Sequence, residues 1–216
     1  MATLTRGGNA NDPSNLIVYT LSSLSYGGAA GADRTVVALI AIDNDTLQSV
    51  TIGGVAATVE RVQGDGSRQA AVAYAAVPSG SSGTVVITCN GTTSGVSCEL
   101  WSLNGVTAPW APSNSNAAIN SGTSFNITDY AGGIVLGICC KGTTSGSLTW
   151  SNLTGYLDIP FNSNNRHGTA AAQPSSAGTR SVSCSGSGSD FATVAASWEV
   201  PPTVAAKFHH YRQRRI

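Results

Sequence analysis

Short apolar runs separated by Gly, Pro, Asn and Ser recur along the whole chain. Turn signals come about every 8–12 residues, the spacing of an all-β sandwich or barrel. No ten-residue stretch shows the i, i+3, i+4 apolar pattern of an amphipathic helix. The runs predict strands over Leu16–Tyr26, Arg34–Asp43, Ser49–Ile52, Val55–Val62, Gln69–Val77, Gly83–Cys89 and Val96–Leu103. A second series follows over Phe125–Thr128, Gly133–Cys140, Leu148–Ser151, Tyr156–Ile159, Gly168–Ala172, Thr179–Cys184 and Phe191–Glu199. The continuous apolar run at Arg34–Asp43 predicts a strand covered on both faces. Gly53-Gly54 predicts a two-residue hairpin turn, and Asp65-Gly66 a second turn. Residues 104–122 are polar and contain proline, and are expected to be a long loop or a boundary.

The phrases VVALIAI and GIVLGICC each open a similar series, which raises an internal duplication. The spacing between the two series does not hold constant. The expectation is therefore one sandwich of two packed sheets, covering residues 16–200, behind an N-terminal arm at 1–15.

Composition sharpens the picture at the C-terminus. The chain has 216 residues, 11 basic and 11 acidic, and only 10% charged residues, against roughly 25% in an average soluble domain. Residues 207–216 hold four of the eleven basic residues and no acid, so the rest carries seven against eleven. Pro201-Pro202 ends the strand series, since neither proline donates to a ladder. Residues 201–216 are thus expected to be a basic tail. Phe208, Tyr211 and Ile216 stand as apolar anchors among Lys207, Arg212, Arg214 and Arg215, a mixture suited to docking on a partner protein. A solvated end is the plainer alternative. Four charges give nucleic acid only a weak, salt-sensitive hold, so nucleic acid is not the expected partner.

The opening residues lack an apolar core behind a basic start, so no export signal is expected. No run approaches the ~20 apolar residues of a membrane span. Five cysteines, an odd number without a metal-type CxxC pair, suit buried free thiols in a reducing compartment. Cys89 and Cys98 lie on runs that could pair as a hairpin, which leaves a cross-strand disulfide open. Cys139 and Cys140, being adjacent on a strand, should point to opposite faces.

Candidate chemistry is sparse. The residues before the tail hold one histidine, His167, in the polar text FNSNNRHG, where a solvated loop is the simpler reading. There is no G-x-S-x-G elbow and no P-loop. Asp43-Asn44-Asp45 opens like a calcium loop but has Gln48 where glycine is needed and Gly54 where an acid is needed, so a capped turn is expected. Glu60, Glu99 and Glu199 have no spacing that pairs them as a glycosidase dyad. Trp101 and Trp198 sit in apolar strands and are expected in the core, while Trp150 is open. Trp110, in a proline-flanked loop, is the candidate exposed contact for a sugar. No catalytic residue, cofactor or metal is expected.

The phrases ADRTVVALIAID, VTIGGVAATVERV, AAVPSGSSGTVVIT, ELWSLNGV, AGGIVLGICC and AGTRSVSCSGSGSDFATVAASW together resemble a group of β-sandwich proteins encoded by tailed bacteriophages and prophages. These include proteins of alphaproteobacteria and of gene-transfer-agent-like clusters. The resemblance spans about residues 16–199 and brings no functional residues with it. It implies an all-β antiparallel sandwich of jelly-roll type. It also implies a non-enzymatic virion component, such as a head decoration, spike, tail or fibre protein, assembled in the host cytoplasm. Its expected partners are capsid, portal or tail proteins and further copies of itself. The alternative expectation is a carbohydrate-binding or adhesin module that contacts host surface glycans.

Overall fold

The computed structural model describes residues 2–64, 67–106, 114–119, 123–188 and 190–201; for 114–119 and 123 it describes the backbone alone. The described chain is all-β and antiparallel. The first half runs β1 (Thr3–Asp12), β2 (Leu16–Ser25), β3 (Thr35–Asp43), β4 (Leu47–Ile52), β5 (Val55–Ala56), β6 (Thr58–Gly64), β7 (Arg68–Ala76), β8 (Ser82–Thr93) and β9 (Val96–Asn104). The second runs β10 (Asn114–Ile119), β11 (Thr123–Asp129), β12 (Ile134–Lys141), β13 (Thr149–Ser151), β14 (Thr154–Pro160), β15 (Arg166–Ala172), β16 (Gly178–Ser185) and β17 (Phe191–Trp198). Among the described residues no helix is long and apolar enough to cross a membrane.

These strands build four sheets rather than the two expected. Sheet A has the order β1-β9-β3-β7-β6 and sheet B β2-β8-β4-β5. Sheet C has the order β10-β17-β12-β15-β14 and sheet D β11-β16-β13. The layers stack B on A, A on C, and C on D. Side-chain alternation makes this legible. In β3, Val36, Ala38, Ile40 and Ile42 enter the core against sheet B, while Val37, Leu39 and Ala41 enter the core shared with sheet C. In β12, Ile134, Leu136, Ile138 and Cys140 face sheet A, and Val135 and Cys139 face sheet D. A strand in an inner layer has no wet face, so all nine positions of β3 and all eight of β12 and β17 are buried. Each buried Val, Leu or Ile contributes on the order of 1.5–3 kcal/mol of transfer free energy.

The two halves share one topology. In the first, β1 pairs with β9, β2 with β8, β3 with β7 and β4 with β5. In the second, β10 pairs with β17, β11 with β16 and β12 with β15. The pairing is nested, as in one long hairpin rolled onto itself. The duplication set aside on sequence spacing is therefore present in the fold. The spacing failed because connections differ: Thr35 pairs with Leu103 as Ile134 pairs with Trp198, yet the first members lie 99 positions apart and the second 95. In addition, the short β5 has no counterpart among the described residues.

Two strands lie where none was expected. Residues 3–12, read as an arm, form edge strand β1, and residues 114–119, inside the expected loop, form β10. The polar, glycine-bearing text of β1 hides its role. A Cβ on Gly7 would strike the backbone oxygens of Ser25 and Leu100, so glycine is what lets β1 pass this close to its neighbours. The Gly53-Gly54 hairpin forms as expected, with φ of +60° and +80° between Ile52 and Val55. Cys89 and Cys98, for which the sequence leaves a cross-strand pair open, do not pair across a hairpin and are the buried free thiols expected. β8 belongs to sheet B and β9 to sheet A.

Among the described residues, the outward rows of the outermost sheets carry no charge. On sheet D these rows, exposed except for half-buried Ser183, read Ser124–Ser183–Ser151, Asn126–Ser181 and Thr128–Thr179. On sheet B they read Val18–Thr88–Ser49 and Thr20–Val86–Thr51, with Thr88, Val86 and Thr51 half-buried.

Candidate functional site

The polar chemistry of the fold is concentrated at the joint between sheets A and C. Ser97, Glu99 and Trp101 alternate on β9 and face sheet C; His167, Thr169 and Ala171 alternate on β15 and face sheet A. Across the joint, Ser97 Oγ lies 2.7 Å from His167 Nδ1. The Glu99 carboxylate accepts hydrogen bonds from the Trp101 indole N–H at 3.0 Å, from the Thr169 hydroxyl, and from the Arg6 guanidinium on β1. Glu99, Ser97, His167 and Thr169 are all fully buried. A buried carboxylate survives only when its lone pairs are filled, and here one residue from each of β1, β9 and β15 fills them.

His167 is not in a solvated loop: it is the second residue of β15 and is fully buried. Burial pushes its pKa down from 6.5 to about 3, so it is neutral at physiological pH. Its Nε2 has no hydrogen-bond partner among the described residues. The serine and histidine therefore meet through Nδ1, and among the described residues both are fully buried. The pair fastens two sheets.

A second set of bonds crosses the same joint at one end. Asn162 donates to the Asp43 carboxylate at 2.8 Å and accepts from the backbone N–H groups of Asn164 and Asn165. Arg68 donates to Asn165 Oδ1 at 3.0 Å and pairs with Asp190 at 3.4 Å. Asn11 adds a bond to the Phe161 carbonyl. At the other end the joint is largely apolar, with Trp101 2% and Trp198 0% exposed, as expected of core tryptophans, and Gln173 donates to the Ala2 carbonyl there.

Four further cations are tied down within the fold, while Arg61 on β6 is exposed. Arg34 is fully buried without a carboxylate and donates to the carbonyls of Val77, Gly28, Ser79 and Gly80 while lying 5.0 Å over the Tyr26 ring. Lys141 donates to the carbonyls of Ser145 and Gly146. Arg166 pairs with Asp158 at 2.7 Å and Arg180 with Asp129 at 2.7 Å. Asp45 caps a turn through the Thr46 N–H at 2.6 Å, and Asn44 holds φ +65°, the capped turn expected in place of a calcium loop. Among the described residues no group of three His, Cys, Asp or Glu side chains is placed to hold a metal.

One surface feature stands apart. A groove of about 210 Å³ beside β14 is lined by Leu148, Trp150, Gly155, Tyr156, Leu157 and Asp158. Tyr156 is 46% exposed and meets Trp101 edge-on at 5.0 Å, and the Trp150 indole N–H has no partner among the described residues. Sequence reading treated Tyr156 only as the start of a strand. Its signal was an aromatic between Gly155 and Asp158 at a bulged edge. Trp110 and the tail residues Lys207, Phe208, Tyr211, Arg212, Arg214, Arg215 and Ile216 lie outside the described residues. No family model, no curated protein and no solved structure matches the chain.

Proposed function

We propose that this chain is a non-enzymatic structural component of a bacteriophage virion, a head decoration, spike, tail or fibre protein that docks onto other virion proteins. The observation that carries this reading is where the polar chemistry goes. Arg6, Arg34, Arg68, Lys141, Arg166 and Arg180 each spend their donors inside the fold. The two outermost sheets present neutral hydroxyl and valine rows. Such a part is cross-braced within and bland without, and it leaves sheet edges for lateral packing of identical copies. The nested pairing in each half supports reading both as jelly rolls, an architecture that viral capsid and lectin domains use. That support is analogy at the level of fold. The basic tail at 201–216 supplies the docking segment in this reading, and assembly takes place in the host cytoplasm. Mass spectrometry and antibody labelling of purified particles test the proposal. The chain should be present in fixed stoichiometry on the particle surface; recovery only in the soluble host fraction would overturn it.

The groove at Tyr156 favours a second reading, binding of host surface glycans. The exposed Tyr156 ring at the groove is a platform on which a sugar can stack. Glycan-array binding that is lost in Tyr156→Ala, with unchanged melting, would support it. Absence of binding at millimolar glycan would remove it.

A further inference from the structure

We propose that Cys139 and Cys184 are a latent inter-sheet disulfide that closes when the protein meets a peroxide oxidant, stapling sheet C to sheet D. The two residues lie on β12 and β16, in different sheets, and both are fully buried in the same small core with Leu148 and Phe191. They are two of only four buried side chains in that cluster, and a thiol–thiol hydrogen bond between them pushes the Cys184 pKa up. Cys140, next in sequence, points the other way and donates to the Ile42 carbonyl across the A–C joint at 3.7 Å. The alternation of β12 thus selects one of two adjacent cysteines for the pair.

A cation attends the thiols. Lys141 Nζ reaches the loop carbonyls of Ser145 and Gly146 and its charge acts on both sulfurs. An ammonium beside a thiol favours the reactive thiolate. Burial and the shared hydrogen bond oppose it and hold Cys184 protonated. Oxidation is therefore slow, since both thiols are fully buried. The step then balances simply. Cys184 gives up its proton, and its sulfur attacks one peroxide oxygen, breaking the O–O bond to give a sulfenic acid and hydroxide. The Cys139 sulfur, losing its own proton, displaces the sulfenic hydroxyl. Two thiols and one hydrogen peroxide give one disulfide and two waters, with two electrons passing from sulfur to oxygen. The inference is independent of the virion reading.

The test uses the full chain with hydrogen peroxide as probe. After oxidation, remaining thiols are alkylated in denaturant and peptides are mapped without reduction. The expected result is loss of two of the five titratable thiols, with the Cys139 and Cys184 peptides joined. A rise in Tm on the order of 10 °C, reversed by dithiothreitol, should accompany it. Cys140→Ala should retain the cross-link and Cys139→Ala should abolish it. If either variant fails to fold, the fragment masses of the wild-type cross-linked peptide decide between Cys139 and Cys140. Five free thiols after oxidation, a bond through Cys140, or only intermolecular disulfides would overturn the proposal.

Discussion

Acid should weaken this protein through His167, and the size of the effect follows from its surroundings. The imidazole is fully buried, with Ser97 on Nδ1 and no partner on Nε2 among the described residues. Its pKa falls from 6.5 to about 3 because burial penalises the charged ring. Between those values the unfolded chain binds a proton that the folded chain refuses. The stability contributed by neutral His167 is thus fully present above pH 6.5, is lost as pH falls, and is exhausted near pH 3. The slope approaches ~1.4 kcal/mol per pH unit, so the loss relative to pH 7 is about 2 kcal/mol at pH 5 and about 3 kcal/mol at pH 4. Carboxylates add their own acid dependence, and a comparison with His167→Gln removes it. Gln keeps a polar group beside Ser97 but does not titrate. Urea denaturation of both proteins at pH 7, 5 and 4 should show the two stability curves converging as pH falls, by about 2–3 kcal/mol over the range. Parallel curves would refute the reasoning, because they would mean that His167 is protonated in the folded state or open to water.

The other expectations concern packing, the carboxylate and the tail. Glu99→Ala should destabilise by about 3 kcal/mol in urea titration, since it strips the Trp101 and Thr169 donors of their acceptor and leaves Arg6 without its carboxylate. Arg6→Ala should cost about 2 kcal/mol or more, because it leaves that carboxylate buried beside neutral donors alone. Gly83→Ala should cost about 2 kcal/mol or more, because a Cβ there collides with the Tyr26 hydroxyl. Tyr26→Phe in the same chain should recover part of that loss, a coupling that a double-mutant cycle reads directly. Deleting residues 207–216 should leave Tm within about 2 °C, since the last described strand ends at Trp198. The truncated chain should enter particles poorly, and normal incorporation at physiological salt would show that the tail is only a solvated end.

How much of this was legible depends on whether the information is local. The run RTVVALIAID declares a strand with two dry faces, and β3 lies between two cores as that pattern requires. The alternation at Cys139-Cys140 fixes opposite faces without knowledge of the fold. The Gly53-Gly54 turn is likewise a local matter. What sequence did not show is what one layer does to another. His167 follows NSNNR, a polar stretch by any local measure; it is dry because sheet A covers it. Glu99 did carry a signal. An acid inside ELWSL, flanked by apolar residues, has to find partners within the fold, but Arg6 and Thr169 stand 93 and 70 positions away. The duplication was hidden for a related reason. The halves agree in strand order, while their connections differ in length and their facing residues have diverged to fit each other, as Trp101 and Ala196 or Val72 and Thr169 show at matching register positions.

The nested pairing also sets an order in time. A ribosome delivers β1 well before β9, yet β1 has its ladder partner only in β9, the last strand of its half. The tight β4–β5 turn can close as soon as it emerges. Each wider pair must then wait for a longer span of chain, and β3, an apolar-rich strand, keeps one edge of unpaired N–H and C=O groups until Val96–Asn104 arrives to fill it. Non-local pairing of this kind is slow to form, and an unfilled edge is adhesive while it lasts. The same interval then recurs for β12 and β17. Synthesis of this protein therefore passes twice through a stage at which a half-built sheet is open to capture by a neighbouring nascent chain, and slowing elongation just before residue 96 or residue 191 would lengthen that exposure.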